Sequence, residues 1–378
     1  MAATTDKPYF ESSFGVFHLT RYAARVDEDL LAWCAADSLA LEEVSRREVP
    51  GSEIVVVNDA HGALCVALQP QALWTDSALA VLALRHNERA NSRIETPVFW
   101  STEIPVSTPS LVVFRIPKQR VFFEYQLSQL ASWLPAGATV LAGGMDKHLS
   151  AHAAQILERY IGPTQRHPGR RKARLFSAVR DDRPVTNCNN VNAMYYCAPL
   201  GAELQGLPNV FSRDKLDIGS RFLLEHLHRV ASAETVVDLA CGNGVLGLAA
   251  IKQGLAQQLV FCDESAMAVA SARANAARIF PKGSHSFEFH HGDGLTRYCG
   301  KAAQLILCNP PFHQEHTVNP FAAHRLLNQC SRHLSGGGRL LLVANRHLDY
   351  QSLLRQTFAK VEKCASNAKF NILLAHMG

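Results

Sequence analysis

The feature that most constrains the fold is a series of short apolar strands that alternate with helical patterns between residues 235 and 344. Strands are predicted at 235–239, 259–262, 286–290, 305–308 and 339–344, and helices at 245–253, 266–277 and 321–334. The strands lack polar alternation, as expected when helices cover both faces of a parallel sheet. These residues therefore predict a doubly wound α/β sheet.

The N-terminal half repeats three parts of this pattern in the same order. The aligned segments are 53–64 with 235–246, 111–117 with 305–311, and 134–137 with 334–337. Because the offset drifts from 182 to 200 residues, chance similarity between two α/β domains is the alternative. The matches favour a duplicated unit.

The N-terminal copy lacks the polar residues of its counterpart. Val56 stands where the second copy has Asp238, and Arg115 stands where it has Asn309. Ala60 replaces a glycine of the turn after the first strand. We therefore predict a similar fold with a degenerate cofactor site.

Length and composition exclude several classes of protein. A chain of 378 residues exceeds the usual single domain, and 47% hydrophobic against 19% charged residues is globular. No apolar run is long enough to span a membrane, and the N-terminal residues lack a secretory pattern. None of the ten cysteines forms a C-x-x-C pair, and the histidines lack metal-ligand spacing. We expect a cytoplasmic protein without a metal; no obligate protein partner is indicated.

The charge is unevenly distributed. Residues 1–150 carry 12 lysines and arginines against 17 acidic residues, whereas residues 151–378 carry 26 against 16. The densest basic stretch contains Arg166, Arg170, Arg171, Lys172 and Arg174, with a proline and a glycine that predict an exposed loop. This loop is a candidate phosphate-binding site, and an ordinary solvated connector is the alternative.

A glycine-rich turn follows the first strand of the C-terminal part. Gly242, Gly244 and Gly247 satisfy G-x-G-x-x-G, and Asp263 ends the next strand, where a carboxylate can accept both hydroxyls of a ribose. The glycine spacing alone also fits a dinucleotide. Asp238, however, would repel a pyrophosphate and suits the positively charged end of S-adenosylmethionine.

Asn309, Pro310, Pro311 and Phe312 follow the fourth strand. The Asn309 side-chain oxygen and the Pro310 carbonyl can each accept one N–H of an exocyclic amine, and two successive prolines hold these acceptors in place. Phe312 offers a face on which a planar ring can stack. The tetrad therefore predicts methyl transfer to an amine, with a rigid turn as the alternative.

These motifs carry a family resemblance. The C-terminal part resembles class I S-adenosylmethionine-dependent amino-methyltransferases. Residues 209–221, 309–316 and 343–350 resemble the bacterial rRNA guanine-N2 methyltransferases, and segments of the last two look like the large-subunit enzyme. That family has two tandem Rossmann-like methyltransferase domains, the first degenerate. The resemblance thus implies an α/β fold with a degenerate, RNA-binding or RNA-orienting domain at 1–185, a linker at 186–204 and a catalytic domain at 205–378.

The resemblance also implies site residues. The base-gripping residues would be Asn309, Pro310, Pro311 and Phe312, and the cofactor-binding residues would be Asp238, Gly242, Gly244, Asp263, Asp293 and Gly219. Asp293 falls where such enzymes contact the adenine amino group, and Gly219 falls in the segment that covers the cofactor. Ala240 stands where the family usually has glycine, which we expect to be tolerated only if residue 240 keeps a negative φ.

The expected reaction is transfer of a methyl group from S-adenosylmethionine to the N2 of a guanine in 23S rRNA, on protein-free RNA. Alternatives within enzymes are a small-subunit 16S rRNA methyltransferase, a DNA adenine-N6 or protein glutamine methyltransferase, and a dehydrogenase. An inactive RNA-binding protein with a vestigial fold is the alternative from another class.

Overall fold

The computed structural model describes residues 9–22, 30–105, 107–189, 191–281, 283, 285–311 and 320–378. In helix 320–333, the side chains are described from residue 324 onward. The chain divides into two compact units, Met1–Val191 and Asn192–Gly378. No helix in the described ranges is long and apolar enough to cross a membrane.

The first unit contains nine strands and five α-helices among its described residues. Its elements are β1 (Tyr9–Ser12), β2 (Gly15–His18), α1 (Ala35–Arg47), β3 (Ile54–Val57), α2 (Ala63–Leu68), β4 (Ala72–Thr75), α3 (Ala78–Ala90), β5 (Val98–Trp100), β6 (Leu111–Arg115), α4 (Arg120–Trp133), β7 (Thr139–Met145), α5 (Ala153–Tyr160), β8 (Thr164–Arg166) and β9 (Ala173–Val179). Seven strands form one sheet in the order β5-β4-β3-β6-β7-β9-β8.

The second unit has a sheet of the same topology. Its elements are β10 (Ala193–Cys197), β11 (Ala202–Gly206), α6 (Ile218–Leu224), β12 (Ala233–Leu239), α7 (Val245–Lys252), β13 (Ala256–Asp263), α8 (Ala266–Ile279), β14 (Ser286–His291), β15 (Ala303–Cys308), α9 (Pro320–His333), β16 (Leu334–Asn345), α10 (Tyr350–Leu354), β17 (Lys360–Ser366) and β18 (Phe370–His376). The strand order is β14-β13-β12-β15-β16-β18-β17.

Strand register agrees with the alignment of the two halves. Val56 of β3 pairs with Val113 of β6, and at the aligned positions Asp238 of β12 pairs with Leu307 of β15. The offset that relates Val113 to Leu307 also makes Arg115 the counterpart of Asn309, as the alignment predicts. The similarity between the two units extends to the turn after the first strand of each large sheet. Gly62 and Gly244 have φ values of 85° and 84°, and each directly precedes the helix that follows that turn.

Helices cover both faces of each sheet, as the unbroken apolar strands predict. Val236 and Val237 are neighbours on β12, yet they belong to separate buried clusters on opposite faces of the sheet. Val56 and Val57 of β3 divide in the same way. Such two-sided burial is the reason that these strands contain no polar alternation.

Neither sheet is purely parallel, which corrects the expectation of a parallel sheet. In each unit a C-terminal pair of strands, β9 with β8 and β18 with β17, adds antiparallel to the parallel strands. The segment expected to be a linker at 186–204 also differs from a simple connector. Its second half enters a β10–β11 hairpin, and Cys197, Leu200 and Leu204 are buried in the core of the second unit.

Candidate active site

The site lies where the strand order of the second sheet reverses. β13 and β15 flank β12 on opposite sides, so the loops after β12 and β15 leave the same edge in different directions. Such a reversal opens a crevice at the carboxyl ends of the strands, where α/β proteins bind ligands. Asp238 lies near the end of β12, and Asn309 follows the last residue of the adjacent β15. The fold therefore brings the two predicted motifs to one edge.

Asp238 presents an unsatisfied oxygen at this edge. Its Oδ2 accepts a hydrogen bond from the Gly247 backbone N–H at 2.8 Å, which ties the carboxyl group to the first turn of α7. Its Oδ1 is buried without a hydrogen-bond partner in the described parts of the chain. Burial raises the pKa of Asp238 to about 8, the Gly247 hydrogen bond opposes the rise, and Asp263 adds to it. A cationic ligand group would satisfy Oδ1 and favour the ionised form.

The glycine turn is shaped for close approach. Gly242 has a φ of 54°, and a side chain there would meet no heavy atom within 4 Å, so its Cα faces open space. Gly244 has a φ of 84°, and a Cβ there would lie 2.9 Å from the Phe261 ring. Ala240 has a φ of 57°, so the expectation of a negative φ at this position is wrong. Its counterpart Asn58 has a φ of 60°, so the left-handed conformation belongs to the turn in both copies.

Asp263 closes the other side of the turn. Its Oδ2 accepts from the Gly242 N–H at 2.9 Å, and its Oδ1 accepts from the Ser265 N–H at 3.0 Å. Ser265 accepts from the Ala268 N–H and caps α8, as the sequence predicts. These contacts fix the Asp263 carboxylate at the carboxyl edge of the sheet, and its ribose contact stays a prediction.

Asn309 is held by α6. Its Nδ2 donates to Asp217 Oδ2 at 3.1 Å and to Ser220 Oγ at 2.9 Å. Its Oδ1 is buried and has no hydrogen-bond partner in the described ranges. A Cβ built on Gly219 would lie 3.6 Å from that oxygen, so the missing side chain leaves space beside it. Asn309 therefore offers a fixed acceptor next to a small gap.

The rest of the tetrad is described only in part. Pro310 is buried and Pro311 is half-buried. Phe312 and the following residues to 319, including the motif segment 313–316, lie outside the described residues. The predicted stacking role of Phe312 stays a prediction.

Asp293 is held by α9. It is buried and forms an ion pair with Arg325 of that helix. The neighbouring loop is fixed by Gln329, which accepts from the Leu295 N–H at 2.8 Å and donates to Thr296 Oγ1 at 2.9 Å. The helix after the tetrad is therefore tied to the loop in which adenine recognition is expected.

The β10–β11 hairpin and α8 contact the glycine turn at Asn243. Asn243 donates to the Tyr195 hydroxyl at 3.0 Å, and Asn275 donates to the carbonyls of Asn243 and Gln205. Burial raises the pKa of Tyr195 to about 12, although the Asn243 hydrogen bond lowers it. Burial also raises the pKa of the Cys241 thiol, so this cysteine stays protonated and is no nucleophile.

In the first unit, the same edge is filled by protein. Arg115, the counterpart of Asn309, donates to Asp37 Oδ1 at 2.6 Å and to Cys34 Sγ at 3.1 Å. Burial is the largest single effect and disfavours the charged form of Arg115, but Asp37, Cys34 and Asp59 together outweigh it, so the pKa of Arg115 is raised. Asp59 occupies the turn and accepts from the N–H groups of Gly62, Leu64 and Cys65 at 2.9–3.0 Å. These contacts agree with a degenerate cofactor site.

The basic stretch lies in the β8–β9 hairpin of the first unit. Arg171 and Lys172 form the tip, with φ values of 50° and 59°, a two-residue geometry usually built from glycine or asparagine. Arg170 is paired with Glu42 and Arg174 with Asp146, at 2.9 and 2.6 Å. The hairpin lines a cavity of about 360 Å³ formed by Asp146, Arg166, His167, Gly169, Arg170, Arg171, Lys172, Arg174 and Phe176. Thus only part of the predicted patch is available to a ligand.

Sequence reasoning missed Asp217, Ser220 and Arg325. Asp217 accepts from the Ser220 N–H at 2.9 Å and caps α6, a spacing that the sequence does show as Asp-x-x-Ser. Its contact with Asn309 spans 92 residues and had no local signal. No group of three histidine, cysteine or acidic side chains suited to a metal occurs among the described residues.

The doubly wound sheet, its degenerate twin and the asparagine-proline edge define a protein with the class I methyltransferase fold. A family model for the methyltransferase small domain matches residues 201–374, and one for the RLMG N-terminal domain matches residues 7–182. The T. thermophilus 16S rRNA N2 G1207 methyltransferase, solved in complex with AdoMet and guanosine, superposes with a TM-score of 0.76. It is 20% identical over 98% of both chains, so it supports the fold alone.

Curated relatives give the family. Ribosomal RNA large subunit methyltransferase G of Alcanivorax borkumensis is 37% identical, over 96% of this chain and 95% of the relative. The protein of the same name from Pseudomonas aeruginosa UCBPP-PA14 is 39% identical, over 97% of this chain and 99% of the relative. The chain therefore belongs to the ribosomal RNA large subunit methyltransferase G family.

Proposed function

We propose that this protein transfers a methyl group from S-adenosylmethionine to the exocyclic N2 of a guanine in 23S rRNA. The observation that carries the proposal is the buried, unpartnered Oδ1 of Asn309 at the carboxyl edge of the sheet. A polar atom left buried without a partner costs about 1–3 kcal/mol, which a ligand donor can recover. An exocyclic amine supplies that donor.

The residues around the turn fit the cofactor. Asp238 Oδ1 would accept from the positively charged methionine end, Asp263 would accept the ribose hydroxyls, and Asp293 would face the adenine. Gly242 lets the backbone approach the ligand, and Gly244 shapes the turn; Gly219 leaves the space beside Asn309 open. When bound, the cofactor supplies a methyl group on a positively charged sulfur. No residue needs to activate that group.

The remaining work is positioning of the amine. Asn309 Oδ1 and the Pro310 carbonyl would each accept one N–H, which holds the nitrogen and favours its rehybridisation toward the methyl group. Pro311 stiffens the backbone that carries both acceptors, and Phe312 would stack on the base. The proton can leave after the nitrogen becomes cationic, so no strong base is required. Alignment supplies the rest of the acceleration.

The substrate must expose its N2. That amine lies in the minor groove of a duplex, so the guanine has to be unpaired or flipped out of the stack. Protein-free RNA would therefore be the natural substrate, and such a reaction belongs in the cytoplasm. In this proposal residues 1–185 bind or orient the RNA and residues 205–378 carry out the transfer.

The test of the reaction uses the purified chain, S-adenosylmethionine and four acceptors: 23S rRNA, 16S rRNA, DNA and a glutamine-containing release factor. We expect N2-methylguanosine in digests of 23S rRNA alone, measured by mass spectrometry of nucleosides. Methylation of 16S rRNA, DNA or the release factor instead would assign one of the alternative functions. Cofactor binding without transfer to any acceptor would favour an inactive RNA-binding protein.

The interaction with RNA is tested on the β8–β9 hairpin. Reversing Arg170, Arg171 and Lys172 to glutamate should weaken RNA binding and flatten its salt dependence, by about 0.7–0.9 in log–log slope for each phosphate that is no longer neutralised. Within the triple, Arg171 and Lys172 should account for most of the effect, because Arg170 already pairs with Glu42. Replacing the exposed Arg120 of α4, which pairs with Glu124, is the matched control. An unchanged salt slope in the triple variant would remove this hairpin from the RNA-binding surface.

A further inference from the structure

We propose that Asp217 and Ser220 are positioning residues that fix the orientation of the Asn309 carboxamide. The inference rests on the proposed function, in which Asn309 accepts a hydrogen bond from the substrate amine. A carboxamide has an acceptor end and a donor end of nearly equal size. Only one of its two orientations can receive an amine N–H.

The contacts select one orientation. Asn309 Nδ2 carries two hydrogens and has two acceptors in reach, Asp217 Oδ2 at 3.1 Å and Ser220 Oγ at 2.9 Å. If the group were flipped, Asn309 Oδ1 would face the Asp217 carboxylate, and two acceptors without a proton between them repel. The acceptor-only character of Asp217 therefore turns Oδ1 toward the gap beside Gly219.

The anchor is itself rigid. Asp217 Oδ2 also accepts from the Ser220 backbone N–H at 2.9 Å, so the same oxygen caps α6 and holds Asn309. Ser220 is buried at 6% exposure, and Asn309 lies directly after β15. A strand end and a helix start thus share one carboxylate oxygen. This arrangement sets the acceptor in place before the substrate arrives, which is where most of the benefit of a hydrogen bond in catalysis arises.

The first unit shows the same contact with different chemistry. Cys34 is the N-cap residue of α1, Asp37 lies three residues further on, and both contact Arg115. These three residues match Asp217, Ser220 and Asn309 in place. The fold therefore brings these positions together in both copies. In the second copy they leave the buried Asn309 Oδ1 without a hydrogen-bond partner among the described residues.

Side-chain amide NMR tests the geometry without any assumption about activity. The Asn309 NH₂ signals are assigned by their absence in Asn309→Ala. In the wild-type protein both protons should exchange with solvent at least about tenfold more slowly than those of exposed asparagines, because both are hydrogen-bonded. In D217S/S220A the protection should disappear. Wild-type Asn309 protons that exchange as fast as exposed ones would overturn the inference.

Kinetics then tests the role. Asp217→Ser keeps a good helix cap, but its hydroxyl is one bond shorter and withdraws from Asn309. Asp217→Asn keeps an oxygen that can accept both N–H groups. We expect kcat to fall about 100-fold in D217S/S220A, with the Kd for S-adenosylmethionine within about threefold of wild type. The single variant Asp217→Asn should keep most of the wild-type kcat.

Ser77→Ala is the matched control, since it removes the cap of α3 in the first unit and should leave kcat unchanged. Wild-type kcat in D217S/S220A, or equal decreases in Asp217→Asn and Asp217→Ser, would contradict the positioning role. If the wild-type chain methylates no RNA at all, the proposed function fails, and the amide exchange rates alone decide this inference.

Discussion

Asp238→Asn should stabilise the free protein near pH 8 while it weakens cofactor binding. The wild-type carboxyl is fully buried, and burial raises its pKa from 3.8 to about 8. The folded protein thus keeps a proton that the unfolded chain loses above about pH 4. The contribution of Asp238 to the free energy of unfolding therefore falls as the pH rises from about 4 to about 8.

The magnitude follows from that shift. About four pKa units at about 1.4 kcal/mol each give a cost of roughly 5 kcal/mol for the ionised carboxylate at pH 8. Asparagine avoids this cost but leaves a buried donor unsatisfied, at about 1–3 kcal/mol. The Gly247 hydrogen bond survives, because the amide oxygen can replace Oδ2. The variant should therefore be more stable than wild type by about 2–4 kcal/mol at pH 8 and less stable near pH 4.

Urea denaturation of both proteins across this pH range measures the difference. Calorimetry of S-adenosylmethionine binding in buffers of different ionisation enthalpy supplies an independent check. At pH 7 about nine-tenths of Asp238 is protonated in the free protein, so wild type should release close to one proton more than Asp238→Asn does. A stability difference that does not change with pH, or equal proton release, would refute the reasoning.

Three further substitutions test the turn and the first unit. Ala240→Gly should raise the free energy of unfolding by about 0.5–1 kcal/mol in urea denaturation, because it relieves a φ of 57°; a decrease would contradict this. Gly244→Ala should cost roughly 3 kcal/mol in the same assay, since it adds a Cβ 2.9 Å from Phe261 at a φ of 84°; wild-type stability would argue against a tight turn. Arg115→Met should destabilise the protein by about 2 kcal/mol, discounted for partial exposure, because Asp37 loses its cation. Its Kd for S-adenosylmethionine should not change, and a changed Kd would give the first unit a part in cofactor binding.

The sequence was most informative where local chemistry and burial coincide. The strands β12, β13 and β15 are apolar and bounded by glycine, proline or capping residues, so their positions were predicted to within a few residues. The β17 strand, by contrast, lies at the sheet margin and contains only half-buried and exposed residues. Its antiparallel pairing with β18 depends on contacts that no local pattern encodes.

The candidate site divides in the same way. Asp238, Asp263 and Asn309 were visible because each lies at the end of an apolar strand or directly after it, and parallel strands place their carboxyl ends together. The contacts that hold the site residues in place were not visible in the sequence. Asp217 with Asn309, and Asp293 with Arg325, join segments that are distant along the chain. Backbone conformation at Ala240 was misjudged because residue type gives only a preference for φ, whereas the turn imposes it in both units.

In the proposed reaction Asn309 holds the substrate amine and does not contact the cofactor. The most direct test of this role measures single-turnover methylation of 23S rRNA and the Kd for S-adenosylmethionine in the wild-type protein and in Asn309→Ala. We expect Asn309→Ala to abolish turnover with a Kd close to that of wild type. Near-normal turnover in this variant would contradict this role.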